Sequence, residues 1–168
     1  MADVAKALEG NRAAVNELIA AAERSAAVWT TPRAPGKWSP SQVVEHVARA
    51  LEESANVVAG APSKFPTFPA IFRPLVRGLF FNRVLKTGAF PKAKTNAPFD
   101  PLDGPATPDA ARRRLESALG AFDRECRACA AKGASVASSI FGSVTVADYA
   151  RFQEFHTRHH TGQMPARA

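Results

Sequence analysis

Three helix-start signatures divide the chain. Ser39-Pro40-Ser41-Gln42 places a serine at the N-cap, a proline at the first helical position and a glutamine where it completes a capping box. Thr107-Pro108-Asp109 repeats that chemistry, and Thr145-Val146-Ala147-Asp148 adds an acid that complements the helix dipole. Behind each, inward-type residues return at three- and four-residue steps. Val43, Val47, Ala50, Leu51, Ser54 and Val58 follow the first, and Leu115, Leu119, Phe122, Cys126 and Cys129 the second. Ahead of them, from Asp3 to about Val28, Val4, Leu8, Val15, Leu18, Ile19 and Ala22 keep the same period. The pattern predicts four long amphipathic helices. Gly60 and Lys132-Gly133 stop the second and third, and the fourth runs to about Gln163, ahead of Pro165. Ser135–Ser143 reads as a loop anchored by Ile140-Phe141-Gly142, with no alternating β pattern, internal repeat or second core. At 168 residues the chain is read as one domain, 1–168, able to bury a core without staples. The fold class is all-α, a four-helix bundle.

The links are unequal. Thr30–Trp38 is a short loop with two prolines and a glycine, its Trp38 expected over a bundle end. From Ala61 to Pro108 lie nine of the thirteen prolines, around an apolar segment Ile71–Leu85 whose middle reads as a short helix begun near Pro74. A crossover of this length lets helices two and three run parallel. Phe72, Leu75, Phe80, Phe81 and Leu85 make it more than a linker: a lid or mouth over one end, or contact with a second copy in a homodimer.

The net charge is +7, and most of the excess sits on this crossover. Between Ala61 and Ala106, Lys64, Arg73, Arg77, Arg83, Lys86, Lys92 and Lys94 stand against Asp100 and Asp103. Such a basic rim could attract nucleic acid, an acidic lipid surface or a small anionic substrate, and reads at least as well as a solvated surface that keeps the protein soluble. With no regular basic helix and no aromatic stacking motif, nucleic acid is not expected as a partner. No run of eighteen apolar residues occurs and the N-terminus is not of signal type, so the expectation is a cytoplasmic protein without membrane contact. Cys126 and Cys129 lie in a helix with no strand before it and read as reduced thiols rather than a redox or zinc motif.

Three of the four histidines fall in Phe152–Gln163. On a helix His156 and His160 stack one turn apart, sharing a face with Tyr149, Phe152, Gln153 and Gln163, and side chains so spaced can grip one metal ion. His156 and His159 could also chelate, but His159 lies toward the edge of that face, nearer Phe155. A third ligand has to come from elsewhere, and His46, on the inward stripe of the second helix, is the remaining histidine. By itself His46 reads equally as a core imidazole hydrogen-bonded to a carbonyl.

Trp38-Ser-Pro-Ser-Gln-Val-Val-Glu-His46, and Phe141-Gly with Phe152-Gln-Glu-Phe-His-Thr-Arg-His-His-Thr-Gly-Gln163, resemble the DinB-like superfamily, over essentially the whole chain. The resemblance implies an up-down-down-up bundle holding a divalent metal, zinc or nickel foremost, on His46, His156 and His160, with His159 and Gln163 in support. Members include enzymes that use a low-molecular-weight thiol, such as mycothiol-dependent maleylpyruvate isomerase and bacillithiol transferases. The implied function is thus a metal-dependent transferase activating such a thiol against a small electrophile, with Arg73 and Arg77 holding the anionic thiol or substrate. A non-catalytic metal- or ligand-binding stress protein and a metal-dependent hydrolase are the alternatives. For hydrolysis no general base stands beside the histidines: Glu154 lies roughly 160° round the helix from His156, and Glu45 points away.

Overall fold

A computed structural model describes residues 2–91 and 95–165; Lys92 and Lys94 of the basic segment lie outside the described residues. In chain order the elements are α1 (Ala2–Arg24), α2 (Pro40–Ala59), α3 (Arg73–Val76), α4 (Asn82–Thr87), α5 (Pro108–Ala131), β1 (Val136–Ser138), β2 (Gly142–Val144) and α6 (Val146–Thr161). The molecule is mostly helical, and no helix among the described residues is long and apolar enough to cross a membrane.

All three start signals act as N-caps. Ser39 Oγ accepts from Gln42 N, and Gln42 Oε1 accepts from Ser39 N at 2.9 Å. Thr107 accepts from Ala110 N and Thr145 from Asp148 N, in each case satisfying a donor that the first turn leaves free. Gly60 closes α2 with φ 72, the left-handed conformation a residue without Cβ adopts freely. The first helix is shorter than expected. Ser25 Oγ donates back to the Ala21 carbonyl, and the chain leaves α1 through a 3-10 turn over Ala26–Val28. Trp29 is thereby buried, and its indole donates to the Pro105 carbonyl at 2.7 Å.

Helix directions follow from the polar contacts. Asn11 reaches the Ala150 carbonyl and Glu17 reaches Arg158, so α1 and α6 run the same way. Ser41 meets Pro105 while Glu45 and Glu52 meet Arg114, so α2 and α5 also run together. Arg12–Asp123 and Glu23–Arg112 set α1 against α5, and His46–His156 with Ser54–Tyr149 set α2 against α6. Between the helices lies an apolar core including Leu18, Val44, Val47, Leu51, Leu115 and Phe122. Cys126 and Cys129 are buried and free, and burial pushes the Cys126 thiol up to about 12.

The loop expected over Ser135–Ser143 is instead an antiparallel hairpin, with Val136 opposite Val144. Ser138 Oγ accepts from the amides of Ile140 and Phe141, and Gly142 takes φ 74 to turn the chain. Each strand has three residues, too short for an alternating pattern to stand out, although Val136 and Ser138 point inward and Ala137 outward.

The crossover carries more helix than expected. A 3-10 turn over Ala70–Phe72 leads into α3, a π-helical turn over Arg77–Phe81, and α4. The π turn contains one extra residue; its last residue, Phe81, and Val84 of α4 face inward, 2% and 0% exposed. Phe81 lies 4.8 Å from the Phe141 ring and 5.0 Å from Phe152, fastening the crossover to the hairpin and to α6. Ile71 and Leu79 face outward, 80% and 69% exposed. These two faces predict opposite responses to truncation. Phe81→Ala should cost about 3–5 kcal/mol in urea unfolding, whereas Leu79→Ala should stay within about 0.5 kcal/mol. Equal losses would mean that the outer face is covered in solution.

Candidate metal centre

His46 lies on the inward stripe of α2, where Nδ1 is 2.7 Å from the Phe99 carbonyl oxygen. A carbonyl only accepts, so Nδ1 carries the proton and Nε2 presents its lone pair. That lone pair points at α6, 3.3 Å from His156 Nε2. One turn further along α6, His160 Nε2 lies 3.1 Å from the same nitrogen, and its Nδ1 faces Gln163 Oε1 at 3.1 Å. One nitrogen of His46 is thus tied to a carbonyl and the other turns to the histidine pair.

The three ligand atoms lie within 4.8 Å of one another, close enough to hold a single metal ion. Their protonation states fit such an ion. His46 and His160 each commit Nδ1–H to an acceptor, leaving two bare Nε2 atoms beside that of His156. His156 has one Nε2 proton at most when neutral and can offer it to only one of them. A central cation would satisfy all three, and the outer hydrogen bonds are of the kind that orients metal-binding imidazoles. Burial also keeps the rings neutral: it lowers His46 below the ordinary value, lowers His156 well below it, and brings His160 to about 3. His159 stands outside this group. Its Nε2 accepts from the Gln163 amide at 3.2 Å, and its ring lies beside Phe90.

The histidines form part of the wall of a cleft of about 660 Å³. Trp38 covers His46 with ring centres 4.7 Å apart, held by an indole hydrogen bond to Asp100 at 3.0 Å. Phe90 covers His156 at 5.5 Å, and Phe65 stacks on Phe99 at 4.6 Å. No carboxylate lines the cleft among the described residues. Glu45 is taken by Arg49 and Arg114, and Glu154 by Arg158.

Arg73 and Arg77 are not brought to the histidines. Arg73 donates to the Phe68 carbonyl and Arg77 to the Ser143 carbonyl, each at or near 2.9 Å, and neither lines the cleft. Among the described residues the cations that line the cleft are instead Arg33 and Lys37, from the loop before α2. Sequence reading passed over them as part of a loop with two prolines and a glycine; they lie four residues apart, just ahead of the Ser39 cap that starts α2.

Burial of neutral histidines makes the metal-free protein sensitive to acid. In the unfolded chain each imidazole binds a proton below about pH 6.5, while in the folded chain burial makes each of the three resist protonation. The stability they contribute is thus full above about 6.5 and falls with pH below it, by at most roughly 1.4 kcal/mol per pH unit for each group. The urea midpoint of metal-free protein should drop between about pH 6.5 and 5, and His160→Gln should flatten that drop. Parallel wild-type and variant curves would show that the ring protonates in place.

No curated protein and no solved structure gives a significant match to the chain. A family model does, over residues 7–164, from within α1 to just past α6 and so including all three facing histidines. The chain belongs to the DinB superfamily.

Proposed function

We propose that His46, His156 and His160 bind one divalent metal ion, zinc or nickel, and that the protein is a transferase activating a low-molecular-weight thiol against a small electrophile. The observation that carries this is the convergence of three neutral Nε2 atoms on the wall of a cleft that no carboxylate lines among the described residues. Three protein ligands leave a coordination position free, as in catalytic rather than structural zinc sites. A divalent cation so held would lower the pKa of a thiol brought to it. The contact directions of α1, α2, α5 and α6 support an up-down-down-up four-helix bundle, in which facing helices supply the ligands. The free cysteines are in keeping with work in the cytoplasm, where thiols stay reduced.

The chain's own groups have defined parts in this scheme. The Phe99 carbonyl and Gln163 fix the His46 and His160 tautomers. Trp38 and Phe90 shield the imidazoles from water on two sides. Arg73 and Arg77, tied to backbone carbonyls, take no part. Hydrolysis at the same histidines is less well supported, because Glu45 and Glu154 are both held in ion pairs away from the cleft.

Elemental analysis of untagged protein should find close to one divalent ion per chain, lost in His46→Ala, His156→Ala and His160→Ala and kept in His159→Ala. Loaded protein should then consume one of a panel of cellular thiols in the presence of an activated aryl halide. Metal without thiol consumption would reduce the function to binding, and no metal even after zinc or nickel is supplied would end the proposal.

A further inference from the structure

The cleft is chemically lopsided. Phe65, Phe80, Phe90 and Phe152 give its inner part apolar walls, with the Phe80 and Phe90 rings set edge to face and the Phe90 and Phe152 centres 5.0 Å apart. Tyr149 and Gln153 are buried polar residues of α6 on the same inner surface. Burial raises the Tyr149 hydroxyl to about 12, so it stays a neutral donor. At the outer part stand Arg33 and Lys37, which also line an adjoining depression beside Trp38. Neither cation makes an ion pair or a side-chain hydrogen bond among the described residues. The nearest carboxylate lining that depression, Asp100, accepts the Trp38 indole hydrogen bond.

We propose that this cleft takes a small organic anion with a flat apolar body, the ring system lying among the phenylalanines and the anionic group meeting Arg33 and Lys37. The proposal rests on reading the cleft as the substrate site and names the class of molecule that enters it. Three features select that class. A volume of about 660 Å³ suits a molecule of one or two rings. Aromatic walls favour a flat ring, because offset and edge-to-face packing add to simple burial. Among the described residues the cleft lining has two cations and no anion, and Asp100 in the adjoining depression already accepts the Trp38 indole, so a positively charged ligand would meet Arg33 and Lys37 unfavourably and a neutral one would leave them unused. Arg33 is the stronger candidate for a carboxylate, since its planar fork can donate two parallel hydrogen bonds.

The test uses naphthoate and its neutral counterpart naphthalenemethanol, titrated calorimetrically into the full chain after metal removal. Working without metal prevents the carboxylate from binding an ion at the histidines, and separates this question from whether those histidines load one. Naphthoate should bind at least about tenfold more tightly than the alcohol, and the preference should shrink as salt rises. Arg33→Gln/Lys37→Gln changes two exposed loop residues and should bring the two affinities to within about twofold. Cyclohexanecarboxylate, with the same charge on a puckered ring, should bind more weakly than naphthoate. Equal binding of naphthoate and the alcohol, a preference that survives in the double variant, or no binding of either probe would overturn the proposal. Metal content measured on the same double variant should be unchanged, so failure here would leave the histidine assignment standing.

Discussion

Three uncharged imidazoles facing one another in a buried seam are the constraint around which the molecule is arranged. Charged, they would repel; neutral, their bare nitrogens still need a partner. The seam itself is the thin one of the structure. Helices α1 and α6 pack along their lengths, as do α2 and α5, whereas α2 and α6 touch sparingly. Their polar contacts gather at two levels, His46 with His156 and Ser54 with Tyr149. Where the two helices do not close, the cleft opens, and the crossover fills its flank with Phe80, Phe81 and Phe90. The site is thus a gap left between two well-packed helix pairs, dressed by a segment that belongs to neither.

Keeping that gap free of negative charge takes specific arrangements elsewhere. Glu45 is next in sequence to His46, and Glu154 is two residues before His156. Helical position already turns both away from the histidines, and ion pairs fix them there. Arg114 draws Glu45 and Glu52 toward α5, and the paired carboxylates in turn raise the guanidinium's pKa. Arg158 holds Glu154 toward α1, where Glu17 completes the group. Gly10 makes room for this second group: a Cβ at that position would lie 2.2 Å from a Glu154 carboxylate oxygen. A glycine inside a helix costs up to about 1 kcal/mol relative to alanine. Here it admits a carboxylate between α1 and α6.

The helices were legible in the sequence because capping is local: Ser39, Thr107 and Thr145 bind amides within three residues, and nothing distant alters that. The facing of His156 and His160 was legible for the same reason, being a matter of helical period. The hairpin was not, because strands of three residues carry too little pattern and depend on the Ser138 hydroxyl to close the turn. Nor was the choice of cations. Arg73 and Arg77 drew notice by lying in the basic crossover, but Phe68 and Ser143 offer them carbonyls at short range. Arg33 and Lys37 reach the cleft through long-range ties of their loop, the Trp29 indole on Pro105 and the Trp38 indole on Asp100, which no local pattern announces.

Charge balance connects the histidines to the rest of the cleft. Neutral ligands do nothing to offset a divalent ion, so with one in place its charge would be felt undiminished across an apolar, low-dielectric space. Arg33 and Lys37 add to that field at the outer part, partly offset by Asp100 in the adjoining depression, while no carboxylate among the described residues lines the cleft itself. Such a field favours the ionised form of a weak acid over its neutral form, and an anion over a cation at the same position. A thiol entering near the histidines would therefore meet surroundings that favour loss of its proton. An anionic acceptor would be drawn to the opposite end, by Arg33 and Lys37, leaving its apolar body between the two. In the proposed transfer, a cleft that no carboxylate lines among the described residues would thus act on both the thiol and its acceptor.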